Sequence, residues 1–180
     1  MKSSRVARMA VLGLALGIGA AFGAILNVSK SAASQPAPRD HGVPHPTLLA
    51  RGSFIDPVAA QIRVLPDRQP MQVMNVKDGS DIVVLQILIE PGVTAPWHTH
   101  WGPGLIVNAG PGTLLTVSSN DCAVRELPPG SAVVDHGGGH LHAARNESDE
   151  DVVLYVTFLG VPPGQPPVVP AAAPAGCEPF

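Results

Sequence analysis

Hydrophobic and polar positions divide the chain into stretches with different rhythms. From Met9 to Leu26, eighteen residues pass without a charge or a polar amide, behind the positive charges of Lys2, Arg5 and Arg8. Such a run is either a secretory signal or a membrane-spanning helix. At about 1.5 Å of rise per residue it reaches roughly 27 Å, and Asn27 and Val28 extend it. It exceeds the apolar stretch of about 7–15 residues usual in a cleaved signal, yet Ala21-Phe22-Gly23 and Ser31-Ala32-Ala33 offer small residues at cleavage spacing. Residues 1–28 are therefore expected to form a hydrophobic helix, either a signal peptide or a transmembrane anchor. In both cases the positive-inside rule places everything after residue 30 outside the cytoplasm, anchored or secreted.

Residues 29–48 are rich in Ser, Ala and Pro and show neither a helical nor a strand period, so they read as a linker in which His41 and His45 are solvated. From residue 49 to 160 the rhythm becomes that of short strands. Asp81 to Glu90 is the strongest, a nearly continuous β-branched and aliphatic run opened by Asp78-Gly79-Ser80 and closed by Pro91-Gly92, and it predicts a buried strand. Gln72–Val76, Leu105–Asn108, Thr113–Val117, Ser131–Asp135, Leu141–Arg145 and Val152–Leu159 are further strand candidates. They are punctuated by Gly110-Pro111-Gly112, Pro128-Pro129-Gly130 and Gly137-Gly138-Gly139. Regularly spaced short strands with Gly/Pro turns predict an all-β sandwich or barrel. Residues 161–180 are Pro- and Ala-rich and are expected to run extended over its surface.

Composition sharpens this picture in two places. Four of the eleven basic residues lie ahead of residue 34, where there is no acidic residue, so the remainder holds seven basic against fourteen acidic groups. Without a Lys/Arg cluster the electrostatic footprint of nucleic-acid binding is missing, and that class is set aside. Anionic membrane surfaces are disfavoured for the same reason, leaving the N-terminal helix, if uncleaved, as the membrane contact. The two cysteines, Cys122 and Cys177, both follow the apolar segment, and an exported compartment permits a disulfide between them, tethering the Pro-rich tail. The alternative is two unpaired thiols.

Five of the seven histidines fall between positions 98 and 142, mostly as two pairs, His98-Thr99-His100 and His140-Leu141-His142. In extended backbone, residues i and i+2 share a face, so each pair can present two imidazoles in one direction. If the two segments face each other inside the barrel, three or four nitrogens converge, a set that suits a divalent transition metal. One such pair alone reads as surface or packing histidines; two beside Gly-rich turns carry more weight.

These residues resemble the motifs of the cupin superfamily. Gly92, five intervening residues, His98, His100 and Gly110 echo the first motif. Gly130, His136 in the place of a Pro, Gly138, His142 and Asn146 echo the second, with one residue too many between Gly138 and His142. The resemblance covers roughly residues 70–160. It implies a cupin-type jelly-roll β-barrel over residues 49–160, with His98, His100 and His142 as metal ligands and His140 as a fourth candidate. The motif's Glu would fall at Gly104 or Leu105, and no carboxylate stands there. Three neutral imidazoles leave the cation's charge uncompensated, which weakens metal retention, favours anionic substrates, and leaves positions open for substrate, water or O₂.

Other residues carry less. Trp97 and Trp101 should point away from His98 and His100 and pack the wall. His136, beside Asp135, is a turn residue or a support for a ligand. Tyr155 and Glu90 are candidates for the barrel interior, and Asn146 for satisfying backbone groups.

The resulting expectation is an exported barrel binding a divalent transition metal (iron, zinc, manganese, nickel or copper) and a small molecule. Its first reading is a metal-dependent enzyme such as an oxygenase. A non-catalytic small-molecule or metal-binding module and a barrel merely stiffened by its histidines are the rivals. Cupins commonly pair through a barrel face, so the resemblance also puts a homodimer among the partners.

Overall fold

The computed structural model describes residues 42–56, 58–65, 71–76 and 80–177. The expected N-terminal helix and His41 lie outside them. The described residues form strands β1 to β12, numbered in chain order, and no helix among them is long and apolar enough to cross a membrane.

Two five-stranded antiparallel sheets carry the fold. The first runs, in spatial order, β1 (His45–Ser53), β4 (Asp81–Ile89), β11 (Val152–Val161), β6 (Gly104–Asn108) and β9 (Ala132–Asp135). The second runs β12 (Val168–Pro170), β5 (Thr94–His100), β10 (His142–Asn146), β7 (Leu114–Ser118) and β8 (Val124–Leu127). A hairpin of β2 (Ala60–Val64) and β3 (Gln72–Val76) is hydrogen-bonded into neither. After β4 the chain passes from one sheet to the other at every step except between β7 and β8, the winding of a jelly roll.

The strongest sequence signal lies where its burial requires. β4 sits between β1 and β11, and Val83, Leu85 and Ile89 turn into the core. β11 supplies Val152, Leu154, Val156 and Phe158 to the same cluster, with Tyr155 between them facing out at 43% exposure. Fully burying an aliphatic or phenyl side chain of this kind contributes about 1.5–3 kcal/mol. Ala143, between two inward-facing positions of β10, belongs instead to a second cluster with Trp97, Val117 and Cys177.

Two buried asparagines tie the turns to this core. Asn108 donates through Nδ2 to the Gly112 and Leu127 carbonyls at 2.7 and 2.9 Å, and Asn146 donates to those of Ile89 and Glu150 at 2.8 and 2.7 Å. Each thereby satisfies backbone oxygens that would be costly to bury unpaired. This is the structural role expected of Asn146.

Two boundaries differ from the sequence expectation. β1 begins at His45, inside the segment assigned to the linker, because His45 to Leu48 pair with Leu88 to Leu85 of the buried β4. Main-chain pairing, not side-chain period, makes this a strand, and the His45 Nε2 is buried rather than solvated. The Pro-rich tail does not merely overlie the barrel: Val168, Val169 and Pro170 pair with His100, Thr99 and His98, adding β12 to the edge of the second sheet. Pro is tolerated on such an edge because no further strand needs its N–H. Arg51 holds the approach to β12, donating to the Gln165 and Pro162 carbonyls at 2.8 and 2.9 Å. The sulfurs of Cys122 and Cys177 lie at bonding distance, with Cα atoms 5.3 Å apart, as the expected disulfide requires.

Candidate metal centre

The first histidine pair sits at the end of β5, and a bulge aims it. His142 pairs with His98 but Ala144 pairs with Ala95, so β5 holds one residue more than β10 across this interval, at Pro96-Trp97. Pro96 lacks the N–H that a regular ladder would use, which suits it to the irregularity. The bulge leaves the Pro96 carbonyl 2.6 Å from His98 Nδ1.

That contact decides which nitrogen of His98 is available. A carbonyl only accepts, so Nδ1 carries the proton and Nε2 keeps its lone pair. The same holds for His100, whose Nδ1 donates to the Pro167 carbonyl at 3.2 Å. His142 enters from β10 with Nδ1 3.2 Å from Asp135 Oδ2 and Nε2 3.3 Å from His100 Nε2. One ring nitrogen from each of His98, His100 and His142 lies within 4.8 Å of the others. The chemistry of this donor set fits a divalent transition metal: three imidazoles, two with their outer nitrogens engaged by carbonyls and the third facing a carboxylate.

Burial keeps these imidazoles neutral. His100 is 4% exposed and its removal from water lowers its pKa to about 4, with Asp135 opposing the shift. His142 is lowered to about 3 for the same reason, and His98 is lowered by burial against the effect of the Pro96 carbonyl. Burial alone would raise the Asp135 carboxyl, but His140, with Nδ1 3.6 Å away, and the field of His142 and His100 hold it well below the usual range.

His140 does not join the triad. Gly137, Gly138 and Gly139 all have positive φ, and β10 starts only at His142, so His140 lies in the turn and not on the extended face that i, i+2 geometry requires. Its Nε2 lies 2.8 Å from Ser118 Oγ and its Nδ1 3.6 Å from Asp135 Oδ2. His140, Asp135 and His142 form a second group able to hold a cation, so His142 is shared between two groups through its two nitrogens. His136 stacks edge-on to His140 with ring centroids 4.8 Å apart.

The remaining candidates fall on the walls. Trp97 packs with Val117, Ala143 and Cys177, and Trp101 donates through Nε1 to the Pro166 carbonyl at 2.8 Å, fastening the tail. Tyr155 faces outward, where its hydroxyl accepts from Gln86 Nε2 at 3.1 Å, so it does not reach the interior. Glu90 is half-buried beyond the end of β4 and does not line the barrel cavity. That cavity has a volume of about 900 Å³. Leu85, Ile87, Leu114, Leu154 and Val156 contribute to its wall, with His98, His100, His142 and Asp135 also facing it.

Asp135 is the site residue that sequence reasoning passed over. It was legible only as the neighbour of His136, because its carboxylate reaches the imidazoles through the pairing of β9 with β6 and not through any motif.

No protein-family model matches the chain, and no curated protein matches it in sequence. Among solved structures it is similar to a cupin-like protein from Thermotoga maritima, at 22% identity and a TM-score of 0.40 over 44% of this chain and 58% of that one. It is also similar to a cupin domain from Bordetella pertussis, at 19% identity and a TM-score of 0.38 over 59% of this chain and 98% of that one. Oxalate oxidase in complex with the substrate analogue glycolate matches at 24% identity and a TM-score of 0.40, over 49% of this chain and 45% of that one. The chain thus spans 58% of the length of the Thermotoga protein and less than half of the oxalate oxidase.

Proposed function

We propose that the chain is an exported member of the cupin superfamily that holds one divalent transition metal on His98, His100 and His142 and uses it as a small-molecule enzyme, with an oxygenase as the first reaction class to assay. The observation that carries the metal reading is the convergence of three imidazoles, of which His98 and His100 have Nδ1 committed to the Pro96 and Pro167 carbonyls. Export is supported by the charged and apolar N-terminal run and by the cysteine pair.

A metal there would supply Lewis acidity and, if iron or copper, electron-transfer capacity. The chain's own residues supply the rest. His98, His100 and His142 would hold the cation, and the aliphatic side chains around them give whatever binds beside it a largely apolar wall.

The cavity also revises the substrate expectation. Three neutral imidazoles alone favour an anion, but Asp135 brings a negative charge to within 3.2 Å of His142, and the surrounding walls are aliphatic. The substrate proposed is therefore a compact, largely apolar molecule with one polar group directed at the histidines. A volume of about 900 Å³ lies within the roughly 300–1,000 Å³ of small-molecule sites.

The deciding experiment is elemental analysis of the full chain, purified without a His tag or chelator, beside the His98→Ala variant. Near-stoichiometric metal that disappears in the variant is expected, and its identity selects the reactions to test. A wild-type chain that carries no metal and takes none up would leave a binding or structural barrel. A tightly held metal with no O₂ consumption or turnover would favour the non-catalytic module.

A further inference from the structure

The carboxylate of the cupin first motif would fall at Gly104 or Leu105, and the structure shows what stands across from the first of these. Gly104 on β6 pairs directly with Asp135 on β9. Directly opposed residues of an antiparallel pair project to the same face of the sheet. The Asp135 side chain therefore leaves the sheet on the face from which a side chain at Gly104 would have left it. At Gly104 itself a Cβ would lie in van der Waals contact with the Phe158 ring, at 3.4 Å.

Both oxygens of this carboxylate are engaged. Oδ1 accepts the Gly137 N–H at 3.0 Å, and Oδ2 faces His142 Nδ1 at 3.2 Å and His140 Nδ1 at 3.6 Å. No Lys or Arg among the described residues is paired with it. The loop that presents it is pinned to β5, since the Gly138 N–H donates to the His100 carbonyl at 2.7 Å. Asp135 thus spans from the first sheet to a ligand histidine of the second.

We infer that Asp135 is the carboxylate of this site, acting through His142 and not on the metal. Its Oδ2 lies 3.2 Å from His142 Nδ1, on the far side of the ring from the Nε2 that approaches His100, so its charge favours the form with the proton on Nδ1 and Nε2 free for the cation. It also sets one negative charge beside an otherwise neutral ligand set, which makes the imidazole a stronger donor. This rests on the reading of the triad as a metal site and extends it: the charge absent from the motif is restored from the neighbouring strand, one residue away from the cation. Asp135 is a positioning residue in this account.

Two readouts test it on the full chain. In metal-free protein, two-bond ¹H–¹⁵N spectra should show His142 with its proton on Nδ1; a proton on Nε2 would overturn the inference without any metal being added. With zinc as the probe, Asp135→Asn should weaken binding by about 10–100-fold at one ion per chain, while the metal-free variant keeps a cooperative thermal transition. Unchanged zinc affinity would overturn it. So would two zinc ions per chain falling to one in Asp135→Asn, because Asp135 would then be a ligand of the second group with His140 and His142. A wild-type chain that takes up no zinc sinks the metal reading alone and leaves the tautomer to decide the role of Asp135.

Discussion

His98 on β5 and His142 on β10 are register partners, and their rings meet edge to face with centroids 4.2 Å apart. Two histidines 44 positions apart in sequence thus share one patch of one sheet, and a metal site there depends on side chains held by the barrel and not on a flexible loop. Truncating His98, which is half-buried, should remove metal without removing the fold. His98→Ala is expected to drop metal content from near-stoichiometric to background, with a cooperative unfolding transition retained; elemental analysis and circular dichroism on one preparation check both.

The parts of the fold that were legible in sequence are those whose side chains declare their burial. β4 and β11 are long runs of β-branched and aliphatic residues, and both are central strands. β8, Val-Arg-Glu-Leu, buries only Leu127, so no period marks it, and β12 lies in a Pro-rich tail whose strand exists because β5 offers it an edge. The two histidine pairs were visible as spacing, yet one assumption behind them failed at His140, where three positive-φ glycines replace extended backbone. Asp135 was invisible for a different reason: its approach to His142 is a consequence of register between β6 and β9, which no local pattern encodes.

The glycine loop supplies a matched pair of substitutions. Gly137 and Gly138 have nearly the same φ, +59° and +61°, so Ala at either bears a similar left-handed backbone cost of about 1–2 kcal/mol. At Gly138 a Cβ meets open space, whereas at Gly137 it would collide with the Gly102 carbonyl. Gly137→Ala should therefore lose clearly more stability in urea than Gly138→Ala, by about a further 1–3 kcal/mol, and should also weaken metal binding because the loop presents Asp135. Equal losses in the two variants would mean that the loop does not seat against Gly102.

Acid should destabilise the metal-free protein well above the carboxylate range. The unfolded chain protonates its histidines near pH 6.5, while burial holds folded His100 and His142 neutral down to about 4 and 3. Below pH 6.5 the unfolded state consequently binds more protons, and stability falls with pH at up to about 1.4 kcal/mol per pH unit for each residue. Asp135, held ionised below its ordinary range, adds to the loss in the same direction at lower pH. Urea unfolding should give a nearly flat stability between pH 7 and 8 and a loss of about 4 kcal/mol between pH 7 and 5. A stability indifferent to pH over that interval would mean that these imidazoles are solvated.

The disulfide should matter to the metal as well as to the fold. Cys122 and Cys177 are 55 residues apart in sequence, and releasing a closed loop of that size costs about 4 kcal/mol in the chain-entropy treatment. The segment it closes runs back past β12, which pairs with β5 at His98 and His100, and past Pro167, whose carbonyl accepts from His100 Nδ1. Cys177 itself packs against Trp97, Val117 and Ala143. Loosening the tail therefore frees the group that fixes the His100 tautomer and uncovers the cluster behind β5 and β10. Cys122→Ser, which leaves the sequence of the tail intact, is expected to lower stability by several kcal/mol and to weaken metal binding, with the metal effect smaller than that of His98→Ala because all three imidazoles remain. Parallel urea titrations and chelator competition measure the two losses. If stability falls while metal affinity holds, the tail is a clamp on the barrel only, and the Pro167 contact does not set the chemistry of His100.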